Sequence, residues 1–153
     1  MSTPSKIILK VRETDKGRKV KFDASKLPLP LQEWVMKHED GEVYLDQRGK
    51  SLCREFTLKG DYIGIYCHWD GDLDSTGKAL KDYFNDYETA LNLIVGGFCS
   101  GIASGHVAHY ANRNIEKWAN IKPIQGSLEK VRNSIYGQYE YVFINKWKGK
   151  KAI

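Results

Sequence analysis

The stretch Tyr62-Ile63-Gly64-Ile65-Tyr66-Cys67-His68-Trp69-Asp70-Gly71-Asp72-Leu73-Asp74-Ser75-Thr76-Gly77-Lys78-Ala79-Leu80-Lys81-Asp82-Tyr83 decides how the chain is read. Its opening is apolar, β-branched and aromatic, which predicts a strand. From about Ser75 the pattern changes. Leu80, Tyr83 and Phe84 share one helical face, and Asp74, Ser75 and Thr76 are all good N-caps, so a helix is expected after a polar turn. That turn gathers His68, Trp69, Asp70, Asp72, Asp74, Ser75 and Thr76 within nine residues, the densest set of recognition side chains in the chain.

On the C-terminal side, Asn85-Asp86 breaks the helix and caps a second one, Tyr87 to Val95, with an apolar stripe of Ala90, Leu91, Ile94 and Val95. Gly96-Gly97 ends it, closing a strand-turn-helix unit over 62–97. Phe98 to Gly105, rich in glycine and serine, reads as a loop. A helical turn is expected at Ile115 to Ala119 and a helix over Ser127 to Ile135, with Ser127 as cap. Tyr139 to Ile144 is a strand, and Asn145-Lys146 turns it into a closing hairpin over 138–150 with a short return arm.

On the N-terminal side, Ile7, Ile8, Leu9 and Val11 predict a strand, Asp15-Lys16-Gly17-Arg18 a turn and Lys19 to Phe22 a return strand, together a basic hairpin over 6–22. Leu27-Pro28-Leu29-Pro30 interrupts the chain, because proline fixes φ and removes a donor. A short helix from Pro30 to His38 and a strand or second short helix at Glu42 to Asp46 follow. Leu52 to Leu58 then reads as a strand that Lys59-Gly60-Asp61 turns back onto the central one. The expectation is one α+β domain over 1–153, a mostly antiparallel sheet with two or three helices packed on one side.

Composition narrows the function classes. At 153 residues and 41% hydrophobic content the chain can bury a core without disulfides. Cys53, Cys67 and Cys99 leave one unpaired under any scheme, and no pair has zinc-knuckle spacing, so all three read as thiols in a reducing, cytoplasmic setting. No run approaches the roughly 20 apolar residues of a spanning helix. The net charge of +5 and pI near 9.0 permit nucleic acid, nucleotides or an acidic protein as partner. Basic residues concentrate at Lys6 to Lys21 and Lys146 to Lys151. In the second group Trp147 sits among Lys146, Lys148, Lys150 and Lys151, and these five form a candidate contact patch.

Several chemistries compete for the central turn. Asp72-Leu73-Asp74-Ser75-Thr76 matches the Asp-x-Asp-x-Thr of haloacid-dehalogenase-type phosphatases, but that motif needs a strand leading directly into its first Asp, and His68 to Gly71 intervene. Asp70, Asp72 and Asp74 resemble the opening of a calcium loop, yet glycine falls at Gly77 and the twelfth position is Lys81. An anion at the helix start beside Lys78 is opposed by three aspartates. His106 and His109 have helical chelate spacing without a helical signal and read as surface loop residues. Cys67 and His68 are strand neighbours that point to opposite faces. The turn set is therefore a binding candidate, His68, Trp69, Asp70, Asp72 and Lys78, with no catalytic residue, metal or cofactor assigned.

The Met1-Ser2-Thr3-x-Ser5 start, the strand end Ile65-Tyr66-Cys67-His68-Trp69-Asp70-Gly71, the following Gly77-Lys78-x-Leu80-x-x-Tyr83, and Tyr139-Glu140-Tyr141-Val142-Phe143 followed by Trp147 resemble a group of small proteins from bacteriophages, prophages and bacterial genomes. The resemblance covers roughly Tyr62 to Trp147 and the first residues. The chain departs from the group at Asp72-Leu73-Asp74, where a Tyr-Pro turn is usual, at Gly96-Gly97, where Gly-Asp is usual, and in a long insertion around 12–60. The resemblance implies a phage-associated origin and part of the architecture; taken with the small, basic, aromatic-rich chain and the lack of a complete catalytic set, it leads to the expectation of a non-enzymatic binding protein that inhibits or modulates a host protein or protein–nucleic acid complex, such as a bacterial defence nuclease of the CRISPR type. The alternative is a nucleotide- or phosphodiester-binding protein or hydrolase centred on His68 to Asp74.

Overall fold

The computed structural model describes residues 2–28, 55–113 and 117–152. The helix expected at Pro30 to His38, the element at Glu42 to Asp46 and the start of the 52–58 strand lie outside the described residues. The class is α+β: a mixed, mostly antiparallel seven-stranded sheet, a separate two-stranded sheet and four helices among the described residues.

The middle of the large sheet is β1 (Ser5–Lys10), which pairs antiparallel with β4 (Tyr62–Cys67) and parallel with β8 (Tyr139–Phe143). Its consecutive apolar residues show why: Ile7 and Leu9 enter the main core while Ile8 enters a second core on the opposite face, and all three are fully buried. A strand apolar on both faces belongs inside a sheet rather than in an edge hairpin. The expected 6–22 hairpin is accordingly absent. The short strand β2 (Lys19–Lys21) instead pairs with β3 (Glu55–Thr57), and backbone bonds from Gly17 N to Leu58 O and from Leu58 N to Arg18 O, each 2.9 Å, extend that ladder. The strand before Lys59-Gly60-Asp61 thus joins β2 and does not hairpin with β4.

Beyond β4 lie β5 (Cys99–Ala103) and β6 (His106–His109), an antiparallel pair whose first strand falls in the Phe98 to Gly105 segment expected as a loop. β7 (Ile124–Gly126) pairs with the start of β4, and β9 (Trp147–Lys151) closes the other end against β8 with a return arm of five residues.

The main core face is covered by α1 (Lys78–Tyr83) and α2 (Tyr87–Val95), whose Leu80, Ala90, Leu91 and Ile94 pack on Ile63 and Ile65. Asp86 caps α2 by accepting the Thr89 amide at 2.9 Å. Two helices therefore lie on one side as expected, but α4 (Leu128–Ser134), capped by Ser127 and following the single turn α3 (Trp118–Ile121), lies on the other, its Val131 packed with Ile8 and Ile135. Gly64 permits this: a Cβ there would come within 2.7 Å of Val131 Cγ1. No helix among the described residues is long and apolar enough to cross a membrane.

Candidate functional site

At the end of β4 the chain keeps hold of β5 for two more residues, His68 N bonding Cys99 O at 3.2 Å and Trp69 N bonding Ser100 O at 2.8 Å. Asp70 then takes a left-handed conformation, φ 54°, which reverses the chain. Its carbonyl accepts the amide of buried Thr76 at 3.0 Å and the Thr76 hydroxyl at 2.7 Å. Gly71 bonds Thr3 O through its amide at 2.7 Å and accepts the buried Tyr141 hydroxyl at 2.6 Å. Burial, with the nearby Asp72 carboxylate, holds that phenol well above its usual range, so it stays a donor. The turn is thereby bolted to the N-terminus and to β8. The helix beyond begins as a π-turn over Leu73–Gly77, not at a Ser75 cap, and Ser75 Oγ instead donates to Asp72 at 3.3 Å.

The cap bonds at residue 70 use its backbone, and among the described residues its carboxylate makes none. Left-handed φ is tolerated by Asp, Asn and Gly far better than by Ala. Asp70→Ala is expected to cost about 1 kcal/mol, and Asp70→Gly nearly nothing. Equal losses for the two in thermal unfolding would show that the carboxylate, rather than the backbone, carries the turn.

The side chains that remain outward define a cleft of about 460 Å³, lined by Asp70, Asp74, Ser75, Lys78 and Asp82 with Ala79, Tyr83, Ile102, Ala103 and Ser104. Ser104, in the β5–β6 turn, is the other non-glycine residue with positive φ among those described, at 55°. Five large hydrophobic residues are left exposed in the described chain: of these Tyr83, at 38%, lines the cleft, Trp69, at 45%, precedes its lining residue Asp70, and Leu73, at 47%, lies toward β9, where a Cβ on Gly149 would stand 3.1 Å from its Cδ2. His68 packs its ring edge-on to Trp69 at 4.5 Å and shares a 2.6 Å hydrogen bond, through Nδ1, with the Tyr66 hydroxyl. Burial raises the Tyr66 phenol above its usual range.

Of the turn residues picked out from the sequence, Asp70 and Lys78 line the cleft, and Trp69 flanks it through its neighbour Asp70. Asp72 serves the turn itself. Lys78 is held by Asp82 at 2.8 Å, an exposed pair four residues apart, so its ammonium is already engaged. Tyr83, Asp82 and the β5–β6 residues escaped sequence reasoning, because a loop at 98–105 left nothing to form the opposite wall.

The C-terminal patch is only partly what its sequence promised. Strand alternation sends Trp147 inward, 3% exposed, with its indole N–H donating to Phe84 O at 2.8 Å and its ring edge on Phe143 at 5.2 Å. It is a core residue and no part of a contact surface. Lys146, Lys148, Lys150 and Lys151 are exposed, three of them on β9, the outermost strand at that end of the sheet, where lysines deter edge pairing. Lys150 also lies 3.9 Å from the buried Glu140 carboxylate.

His106 and His109 are strand residues, not loop residues. At this odd spacing they face opposite sides of β6. His109 is fully buried and donates Nε2–H to Leu93 O at 2.8 Å. No group of His, Cys, Asp and Glu among the described residues is placed to hold a metal ion. A second cleft, about 380 Å³, runs between β2 and α2 with Arg18, Lys19, Lys21 and Lys26 around Val20, Leu91 and Val95. Arg18 is tied there to Glu88 at 3.3 Å and to Asp15 at 3.4 Å.

No family model, no curated protein and no solved structure matches this chain.

Proposed function

We propose that the chain is a non-enzymatic binding protein of phage origin that acts on a host factor in the bacterial cytoplasm, in the specific case as an inhibitor of a defence system such as a CRISPR nuclease. The phage origin rests on the resemblance read from the sequence, and the defence target on that origin together with the small, basic, aromatic-rich chain and the lack of a complete catalytic set. The binding part rests on one observation: the cleft is lined by exposed Tyr83 and by Asp70, whose chain neighbour Trp69 is also left exposed. Tryptophan and tyrosine anchors beside a concave surface are the usual carriers of protein–protein affinity. The cleft carries Asp70, Asp74 and Asp82 against Lys78 in a chain of net charge +5. A partner surface that presents an arginine or lysine complements it.

The hydrolase reading of the same turn has less support, since a phosphate would meet three carboxylates and a lysine already paired. An anionic group finds better complementarity in the second cleft, beside Lys19, Lys21 and Lys26. Capture from a bacterial host lysate, read by mass spectrometry for protein and nucleic acid, separates the two readings. The wild-type chain is expected to retain a protein assembly that Trp69→Ala/Tyr83→Ala does not. Retention of nucleic acid alone, lost on Lys19→Gln/Lys21→Gln/Lys26→Gln, would favour the second cleft.

A further inference from the structure

Cys67 ends β4 and Cys99 begins β5, and the two residues stand directly opposite each other in parallel register. Both are fully buried free thiols. The neighbouring Cys67 thiol, together with burial, holds the Cys99 thiol well above its ordinary range. Neighbouring strands run about 4.8 Å apart, inside the roughly 4.4–6.8 Å between Cα atoms that a disulfide spans. The Cys67 thiol makes one long contact, donating to Trp69 O at 3.9 Å.

Their place in the sheet is equally particular. The parallel joint between β4 and β5 has one registered pair, Cys67 with Cys99, and the two backbone bonds from His68 and Trp69 continue it. The partner ladder of β5 slips out of register between Cys99 and Ile102. Joints with few rungs open locally at lower free energy than the core around them, which gives a reagent access to thiols closed in the static structure. The same joint carries Trp69 on one strand and Ile102 and Ala103, two lining residues of the cleft, on the other.

We infer that Cys67 and Cys99 are a modification site that forms a reversible intramolecular disulfide, clamping β4 to β5 beneath the Trp69 turn. The oxidant is a small-molecule disulfide such as glutathione disulfide. One protein thiolate attacks it, expelling a glutathione thiolate and leaving a mixed disulfide, and the second protein thiolate attacks that protein sulfur and expels the other glutathione. Two protein thiols lose two protons and two electrons, and one glutathione disulfide becomes two glutathiones. The inference does not depend on which partner the turn binds.

The test uses the full chain with Cys53→Ser, so that these are the two cysteines present. The natively folded protein, its fold checked by circular dichroism, is treated with glutathione disulfide, quenched, alkylated and weighed intact. The expected product has lost two hydrogens, takes up no alkylating agent, yields one peptide pair joined through Cys67 and Cys99, and reverts with dithiothreitol. Amide hydrogen exchange at His68 and Trp69 is expected to slow on oxidation, because those amides bond across the clamped joint. Cys99→Ser in the same background is expected to stop at a stable glutathione adduct on Cys67. Two alkylated thiols after treatment, a persisting single adduct when both cysteines are present, or unchanged exchange at His68 and Trp69 in the oxidised chain would overturn the inference.

Discussion

Gly71→Ala is expected to lower stability by about 3 kcal/mol, a fall in melting temperature of about 10 °C for a chain of this size. A Cβ at this position would run into the Thr3 carbonyl oxygen and stand 2.8 Å from Ser5 Cβ, contacts that only a backbone shift can relieve. The shift has nowhere to go. Gly71 is held on both sides, its amide by Thr3 O at 2.7 Å and its carbonyl by the Tyr141 hydroxyl at 2.6 Å, so relieving the clash breaks one bond or strands the other. Gly101→Ala supplies the control, since its Cβ would meet only Trp69 Cβ at an ordinary 3.8 Å. Thermal unfolding of both variants is the measurement, and a Gly71→Ala chain that melts with Gly101→Ala would mean that the turn is not bolted to the N-terminal segment.

Arg132→Ala is expected to cost about 3 kcal/mol. Glu140 lies on β8 at 2% exposure and takes both of its strong bonds from Arg132, Nε to Oε1 at 2.7 Å and a second guanidinium N–H to Oε2 at 2.9 Å. Removing the guanidinium leaves a carboxylate in the interior whose remaining ion-pair partner among the described residues is Lys150, 3.9 Å away on an exposed stem. The loss comes from the stranded charge rather than from the pair, so Arg132→Leu/Glu140→Leu should recover most of it. Denaturant unfolding of the singles and the double forms the cycle. A double variant as unstable as Arg132→Ala would show that the guanidinium matters through packing instead.

Local chemistry was readable wherever one residue type has one use. Asp86 and Ser127 cap their helices as their sequence context predicts, and the apolar run of β4 is a strand in the expected place. Pairing was not readable, because a turn signal such as Asp15 to Arg18 says that the chain reverses without saying which strand it meets next. Ile8 carried the missing information: a third apolar residue between Ile7 and Leu9 makes sense only in a strand buried on both faces. β5 was lost for a different reason, since glycine and serine weaken strand propensity and its pairing with β4 and β6 supplies what propensity lacks. Trp147 was misplaced because lysines on either side of a tryptophan look like a surface patch until strand alternation is imposed. The turn residues were visible, whereas the cleft required a wall that the sequence hid.

The central claim, that the face around Trp69 and Tyr83 carries binding while the lysines of β9 guard a sheet edge, is tested most directly by affinity for the captured partner. Calorimetric titration would compare the wild type with Trp69→Ala and with Lys148→Gln/Lys150→Gln/Lys151→Gln. A hot-spot tryptophan is worth at least about 2 kcal/mol, so Trp69→Ala is expected to raise Kd roughly thirtyfold with its melting temperature little changed, and the triple lysine variant to bind as the wild type does. An unaltered Kd for Trp69→Ala beside a large loss in the lysine variant would contradict the account and move the binding face to the sheet edge.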